Sequence, residues 1–349
     1  MSDATGRPPV TSSSASPSAS PSASPSAFPG GAVAPRSSGG PDLVFRALTA
    51  GETALFTSLP DDPRLGRALV GQHFATTDAG GEYRPEWSWV ALRGERVVAR
   101  AAWWGQPGDT EPVALDWFDF APGEAEAAVR LLRAAPLYAE YSLLLPPGWR
   151  DLPDVRAAAE QRMAAAQRAG LRKLVERYRY TWTAGVDPLP PRTGRLVCRP
   201  EPDDAAFRAV MARTMTGTLD AHDRRMLDTR GLDAALDETL GILDRMPSPS
   251  HWRRVAYTPD GEVAGLHVPA ANTTDRCVGF IAVVPEQRGH GYAYDLLLEC
   301  THDLVDLGAT RIAAATDRTN TPMAAHFAAA GYPVSQERVD FVRDEGDTD

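Results

Sequence analysis

Residues 281–293 read IAVVPEQRGHGYA, an apolar run that ends at Pro285 and is followed by Gly289, Gly291 and an amphipathic stretch. This pattern predicts a buried strand, a short loop and a helix that begins immediately. Glycine lets the backbone approach a ligand closely, and the free N–H groups at a helix start favour an anion, so we expect a cradle for a diphosphate. The motif is neither the dinucleotide fingerprint, because Gly-x-Gly-x-x-Gly fails at Tyr294, nor a P-loop, because no Lys followed by Ser or Thr appears.

Strand-like and helix-like stretches alternate on both sides of this motif, which predicts a mixed α/β fold in two halves. For the first half we expect strands at 87–92, 96–104, 113–120, 141–145 and 171–182, with a helix at 154–169. For the second half we expect strands at 195–198, 277–284 and 311–316, a hairpin at 251–269, a last strand ending at 342, and helices at 203–215, 232–245, 292–307 and 321–330.

The two halves share short sequence matches that occur in the same order. Met-Ala-Ala at 163–165 precedes Gly170, and Met-Ala-Ala at 323–325 precedes Gly331, with Glu-Arg following each glycine at a similar distance. This repetition favours an internal duplication. Residues 186–194, which contain three prolines, are predicted to be the linker between the halves.

Composition excludes several classes of protein. The chain has 349 residues, a net charge of -10 and no run approaching the roughly 20 apolar residues of a membrane span, so we expect neither a nucleic-acid nor a membrane partner. Residues 1–41, where Ser-Ala-Ser-Pro recurs, read as a disordered tail without a secretory signal. Three scattered cysteines fit a reducing cytoplasm.

Residues 288–293, Arg-Gly-His-Gly-Tyr-Ala, resemble the acetyl-CoA loop of the GCN5-related N-acetyltransferase (GNAT) family, which reads Arg/Gln-x-x-Gly-x-Gly/Ala. The segment from Asp317 to Tyr332 resembles a second family segment, and the resemblance covers about residues 194–345. It implies an α/β (α+β) fold of two tandem GNAT-like domains, each a mostly antiparallel mixed sheet flanked by helices. The expected boundaries are a tail at 1–41, a degenerate domain at 42–185, a linker at 186–194 and an acetyl-CoA-binding domain at 195–345.

The resemblance also implies a cofactor site. Backbone amides of the loop would hold the CoA diphosphate, strand residues would pair with the pantetheine arm, and Asn320 would approach from the other side, although Asn320 is equally a candidate N-cap for the helix that follows. The expected acetyl-CoA contacts are Val283, Val284, Gln287, Arg288, Gly289, His290, Gly291, Tyr292, Ala293, Asn320 and Phe327. Acetyl-CoA is the expected co-substrate, and no metal is expected.

Catalytic residues are less clear from the sequence. The usual general-acid tyrosine of the family falls at Phe327, which cannot protonate a thiolate. Tyr292, Tyr294 and Tyr332 are alternative acids by proximity in sequence, with Tyr332 also readable as a packing aromatic. His267 and Asp275 are candidate bases. His267 can also be interpreted as a histidine of the core, and Asp275 as a solvated residue of a turn. Cys277 reads as a small buried hydrophobe rather than a nucleophile.

The first half lacks the glycine loop. Its corresponding segment, Ala121-Pro122-Gly123-Glu124-Ala125-Glu126, carries carboxylates where a diphosphate would sit, so we expect this half to have lost CoA binding.

Together these features predict an N-acetyltransferase that moves an acetyl group to a primary amine of a small metabolite, an antibiotic-like compound or a peptide. The net charge mildly favours a cationic acceptor. The alternative is an acyl-CoA-binding regulatory module without turnover, motivated by Phe327. The sequence does not indicate an oligomeric state.

Overall fold

The computed structural model describes residues 42–201, 203–272 and 274–343 of the 349. The tail predicted at 1–41 lies outside the described residues. The strands are β1 (Leu43–Ala47), β2 (Ser88–Arg93), β3 (Arg96–Trp104), β4 (Ala114–Phe120), β5 (Glu140–Leu145), β6 (Arg172–Thr183), β7 (Val197–Pro200), β8 (Arg254–Tyr257), β9 (Val263–Ala271), β10 (Arg276–Val283), β11 (Arg311–Asp317) and β12 (Val334–Val342). The helices are α1 (Thr53–Thr57), α2 (Ala125–Ala134), α3 (Pro153–Arg168), α4 (Asp204–Met215), α5 (Ala221–Arg245), α6 (Tyr292–Asp306) and α7 (Thr321–Ala329).

Within the described residues the strands form one twelve-stranded sheet in the order β1-β2-β3-β4-β5-β12-β6-β11-β10-β9-β8-β7. Most neighbours are antiparallel, and the parallel pairs are β4–β5 and β10–β11. The element order from β1 to β6 recurs from β7 to β12: a strand, a helical region, three strands, a helix, a strand, a helix and a strand. The predicted fold, a mostly antiparallel mixed sheet flanked by helices in each of two tandem halves, is confirmed.

The last strand of each half lies inside the other half. β6 closes the first half in sequence, yet it pairs with β11 on one edge and with β12 on the other. β12 closes the second half and pairs with β5 of the first half. The two halves are therefore joined by exchanged strands at the centre of one continuous sheet.

Two sheet faces carry different layers. We call the face under α4 and α5 face A and the face under α2, α3, α6 and α7 face B, because the apolar clusters divide in this way. β6 illustrates the alternation: Tyr180 and Trp182 are buried on face B, while Arg177 and Arg179 point to face A. On β6 and β12, face A carries a group of charged side chains: Arg177, Arg179, Arg338 and Asp340.

Two helices depart from the sequence predictions. α2 begins at Ala125, inside the segment expected to be a loop, because its residues from Ala127 to Leu132 bury an apolar side against the sheet. α5 begins eleven residues before the predicted helix at 232–245 and is interrupted at Gly231, whose φ of 83° is non-helical. Within the described residues, no helix combines the length and the apolar character that a membrane crossing requires.

Candidate active site

A wedge opens in the sheet between β10 and β11. These parallel strands pair only at their beginnings, where Arg276 lies opposite Ile312 and Cys277 opposite Ala313. Beyond that point they separate, and β10 also carries an irregularity between Val278 and Phe280. Backbone groups along the separated edges are free to pair with an extended ligand, as a strand edge pairs with a peptide.

The loop at the open end of the wedge presents free amides to solvent. Gly289 and Gly291 have φ values of 85° and 79°, a backbone conformation that glycine adopts at little cost, and Gly291 directly precedes α6. Among the described residues, no acceptor is bound to the amides from Gly289 to Ala293. Consecutive free N–H groups at a helix start form a binding site for an anion such as a diphosphate. We call the amides from Gly289 to Ala293 the cradle.

Arg288 acts as a clamp for the loop. Its guanidinium donates to the carbonyl oxygens of Val283 (3.2 Å), Gly217 (3.3 Å) and Thr214 (3.0 Å). These bonds tie the loop to β10 and to the end of α4. The side chain therefore positions the cradle and is directed away from the free amides.

Arg195 is a loop contact that the sequence analysis missed. Its guanidinium donates to the His290 carbonyl oxygen (2.7 Å), pairs with Asp295 (2.9 Å) and lies 4.9 Å from the ring centre of Tyr292. About half of the side chain is exposed, so it adds positive charge beside the cradle. No local signal marks it, because it precedes the loop by almost a hundred residues.

The expected strand and loop contacts differ in what they offer. The Val284 amide donates to Ala264 in β9 (3.0 Å) and its side chain is fully buried, so its amide faces away from the wedge. The Val283 carbonyl lies on the wedge side, where it accepts from Arg288. The Gln287 amide donates to the Val284 carbonyl (3.0 Å), which leaves the amides from 289 onward as the free ones.

On the opposite side of the wedge, Asn320 and Phe327 have structural contacts. The Asn320 side chain accepts from the Met323 amide (3.3 Å) and caps α7. Phe327 is 1% exposed and stacks on Tyr180 at 4.2 Å between ring centres. Because Tyr180 belongs to β6, the exchanged strand forms the support on which α7 packs.

The two candidate bases lie apart from the wedge opening. His267 is fully buried on β9 beneath α6, and burial, with Arg254 and Arg192 nearby, lowers its pKa to about 3. Neither ring nitrogen has a hydrogen bond, and Nε2 is 3.9 Å from an Asp303 oxygen. Asp275 precedes β10, at the end of the strand away from the loop, in a turn where its amide donates to Asn272 (2.7 Å).

The tyrosines near the loop also separate. Tyr292 is half-buried at the start of α6, stacked on His290 at 5.6 Å. Tyr294 faces His326 at 5.9 Å, on the side of α7. Tyr332 is 3% exposed and shares a hydrogen bond with Thr301 (2.8 Å), which is a packing role. The structure brings Tyr292, and not Tyr332, next to the cradle.

Three carboxylates that the sequence analysis did not propose lie on face A where the segment between α4 and α5 meets the end of β11. Asp220 ends that segment, Asp223 lies in the first turn of α5, and Asp317 ends β11. The segment starts at Gly217, held by Arg288, and reaches the end of β11, where the Ala221 amide donates to Asp317 (2.7 Å). Asp220 pairs with Arg177 of β6. Burial, and then Asp220, raise the pKa of Asp223 to about 6, and the same causes raise the pKa of Asp317.

A further polar cluster joins the halves near this segment. His222 of α5 bonds to Glu140 of β5 (2.9 Å), and Asp340 of β12 lies close enough for one ligand atom from each residue to fall within 4.8 Å of the others. Asp340 is already bound by Arg338 (2.8 Å) and Ser142 (2.8 Å). The guanidinium neutralises the carboxylate, so the cluster is an ion-pair junction.

The first half has a similar wedge, and its own chain fills it. β4 and β5 pair only at Ala114 with Glu140 and Leu115 with Tyr141. Beyond that point the amide of Gly66 donates to the Leu144 carbonyl (2.8 Å), as a ligand backbone would.

The helix start beside this first wedge carries a carboxylate. Glu124 directly precedes α2, makes no hydrogen bond to the helix-start amides and is held by Arg93 (2.8 Å). Its negative charge at this position disfavours a diphosphate there.

Comparisons with known proteins agree with this geometry. Residues 230–332 match the model of the acetyltransferase (GNAT) family. No curated protein matches the sequence. Among solved structures, a GCN5-related N-acetyltransferase from Sphaerobacter thermophilus is similar, with a TM-score of 0.52 and 14% identity over 86% of this chain and 94% of that one.

Two further solved structures are similar at lower TM-scores. A tandem GNAT protein from the clavulanic acid biosynthesis pathway has a TM-score of 0.42 and 19% identity, over 88% of this chain and all of that one. A GNAT acetyltransferase from Colwellia psychrerythraea has a TM-score of 0.44 and 12% identity, over 86% of this chain and all of that one.

The family match spans α6 and both sides of the wedge, which are the elements that form the loop and the separated strands. The structural neighbour from Sphaerobacter thermophilus has the same fold over most of both chains. Residues 230–332 therefore match the acetyltransferase (GNAT) family, and the chain has the fold of a GNAT structure over most of its length.

Proposed function

We propose that the protein transfers an acetyl group from acetyl-CoA to a primary amine of a small metabolite, an antibiotic-like compound or a peptide, by direct attack. The observation that carries this proposal is the combination of separated strands with free amides from Gly289 to Ala293. The loop would hold the diphosphate, and the wedge would take the pantetheine arm. The filled first wedge supports a single working site, in the second half.

The acceptor amine would approach from face A. The loop leads into α6 on face B, so an acyl chain that enters there reaches face A by passing between β10 and β11. One proton first leaves the ammonium, and the neutral amine nitrogen attacks the thioester carbonyl. The C–S bond then breaks as the amide forms, and the nitrogen gives up a second proton, which converts the departing CoA thiolate to the thiol. A carboxylate with a raised pKa suits the first proton transfer, and Asp223, which accepts from Thr218 of the segment held by Arg288, would supply one.

The test is acetyl-CoA titration by calorimetry on the full chain and on two glycine variants. A Cβ at Gly291 would lie 3.7 Å from Arg195, so Gly291→Glu puts a carboxylate into the cradle beside its cation. Gly308→Glu is the matched control: it has a φ of 85°, open space around its Cβ and a position at the other end of α6. We expect Gly291→Glu to weaken binding at least about tenfold and Gly308→Glu to leave it unchanged. Equal affinity in both variants refutes the cradle.

Phe327 supports a second candidate, an acyl-CoA-binding module without turnover. It stands where the family has a tyrosine acid, and its ring stacks from α7 onto Tyr180 with no hydroxyl to donate. Thiol release measured across a panel of amines separates the two functions. A single productive acceptor excludes the binding module, whereas tight acetyl-CoA binding without release from any amine supports it.

We also place the enzyme in the cytoplasm. Cys277 and Cys300 are buried and Cys198 is half-buried, and all three are unpaired thiols. Unpaired cysteines are typical of proteins in reducing compartments.

A further inference from the structure

Face A of the central strands carries an arginine, Arg179, that differs from its neighbours in its ion pairing. Arg179 is half-buried on β6, and among the described residues no side chain or carbonyl pairs with its guanidinium. Arg177, two positions earlier on the same face, is held by both Asp220 and Asp317. The two arginines share a strand and a face, so the difference between them is the missing counter-charge.

The surroundings of Arg179 are positive. Burial, and then Arg338 of β12 and Arg67 of the first half, lower the pKa of Arg179 to about 10, against a smaller opposing effect of Asp340. Each of these two neighbours has its own carboxylate: Asp340 binds Arg338 and Asp116 binds Arg67. Three guanidinium groups thus share two carboxylates, and one positive charge is left uncompensated on a partly desolvated surface.

This charge lies beside the wedge. Arg179 is in register with Ala315 of β11, which belongs to the separated part of that strand. Neighbouring strands are about 5 Å apart, so a small molecule can reach Arg179 while its other end lies at the opening. The planar fork of a guanidinium binds a carboxylate or a phosphate through two hydrogen bonds.

We propose that Arg179 binds an oxyanion on the acceptor, so that the preferred acceptor is a compact amine that also carries a carboxylate or a phosphate. This inference rests on the proposed acetyl transfer and narrows its substrate class. It reverses the expectation of a cationic acceptor drawn from the net charge, because Asp220 and Asp317 near the opening are already paired with Arg177, whereas Arg179 has no carboxylate partner among the described residues.

The kinetic test uses matched acceptors and a matched variant of the full chain. The acceptors are β-alanine against β-alaninamide and phosphoethanolamine against ethanolamine, and the readout is thiol release from acetyl-CoA. For Arg179→Met we expect kcat/KM to fall about tenfold to a hundredfold with the anionic acceptors and to change little with the neutral ones. Arg311→Met is the control, because Arg311 is an exposed arginine at the far end of β11. Equal losses with both kinds of acceptor overturn the proposal.

Thermal unfolding gives a readout that does not depend on turnover. Without ligand, Arg179→Met should unfold at the same or a higher temperature than the unmodified chain, because it removes an unpaired cation; a structural arginine would give a lower midpoint. With CoA present to fill the cradle, inorganic phosphate at constant ionic strength should raise the midpoint of the unmodified chain and of Arg311→Met, but not of Arg179→Met.

These outcomes separate the two proposals. If acetyl-CoA binds but no amine reacts, acetyl transfer fails, while a phosphate shift that depends on Arg179 still supports the anion site. A lowered midpoint for Arg179→Met, or a phosphate shift that persists in it, refutes the anion site whatever the activity.

Discussion

The exchanged strand β6 should decide whether the second half can fold by itself. A fragment of residues 186–349 contains the loop, the wedge and the predicted acetyl-CoA-binding segment, but it lacks β6. It therefore leaves β11 and β12 with unpaired edges and removes the stacking partner of Phe327. A second fragment, residues 170–349, keeps β6 and is otherwise the same.

The stability lost with β6 can be compared with the total stability of a domain. Tyr180 and Trp182 are 3% and 2% exposed, and burying a large apolar side chain contributes about 1.5 to 3 kcal/mol. The two together contribute about 3 to 6 kcal/mol, before the loss of sheet pairing on both edges. Because domains are stable by only about 5 to 15 kcal/mol, we expect the 186–349 fragment not to fold cooperatively.

The assay is urea unfolding of both fragments, followed by near-ultraviolet circular dichroism and size-exclusion chromatography. We expect a cooperative transition for 170–349 and none for 186–349. As a companion measurement, a protease site inserted at Val186, which is 79% exposed, should allow cleavage of the full chain without separating the pieces. A 186–349 fragment that unfolds cooperatively at the same midpoint as 170–349 would refute the role given to β6.

Three further changes test single residues. The pKa of His267 is about 3 in the folded chain against 6.5 ordinarily, so the unfolded chain binds the proton first and the free energy of unfolding falls as the pH drops below 6.5. The loss reaches about 5 kcal/mol near pH 3. His267→Leu should remove that part of the acid dependence in urea unfolding while keeping activity at pH 7. The pKa of Asp223 is raised to about 6, so its ionisation destabilises the folded chain as the pH rises from about 4 to 6. Asp223→Asn should be about 2 to 3 kcal/mol more stable than the unmodified chain at pH 7 and equally stable near pH 3. If Asp223 is the base, the same variant loses kcat/KM. Arg288→Met removes three hydrogen bonds to carbonyl groups. It should lower the thermal midpoint by about 2 to 4 °C and weaken acetyl-CoA binding. An unchanged midpoint in differential scanning calorimetry would contradict the role of Arg288 in holding the loop.

Local features of the site were predictable because neighbouring residues determine them. Pro285, Gly289 and Gly291 restrict or free the backbone at their own positions, so a strand, a loop and a helix start follow from thirteen consecutive residues. The alternation of Tyr180 and Trp182 with charged residues likewise predicts a strand with one buried face. Asn320 as a cap follows from its position just before a helix.

Other features could not be read from neighbouring residues. α2 was missed because its acidic start resembles a loop, whereas its helix is stabilised by apolar contacts with strands far away in the chain. His267 was proposed because its strand was expected to face the strand at 277–284, and Asp275 because it lies just before Cys277. The burial of His267 under α6 and the position of Asp275 at the far end of β10 depend on how the sheet is assembled. Arg195 and Asp223 approach the site through contacts that span many residues.

The sequence by itself determined the two halves, the glycine loop and its expected ligand, because backbone preferences and side-chain periodicity act over a few residues. Only the tertiary structure decided that β6 and β12 exchange places, that the chain fills its own first wedge at Gly66, and that Arg179 has no carboxylate partner in the part of the chain that the structure describes. Strand partners and ion pairs depend on which distant segments pack together, and that choice is made by the free energy of the whole sheet rather than by any local stretch.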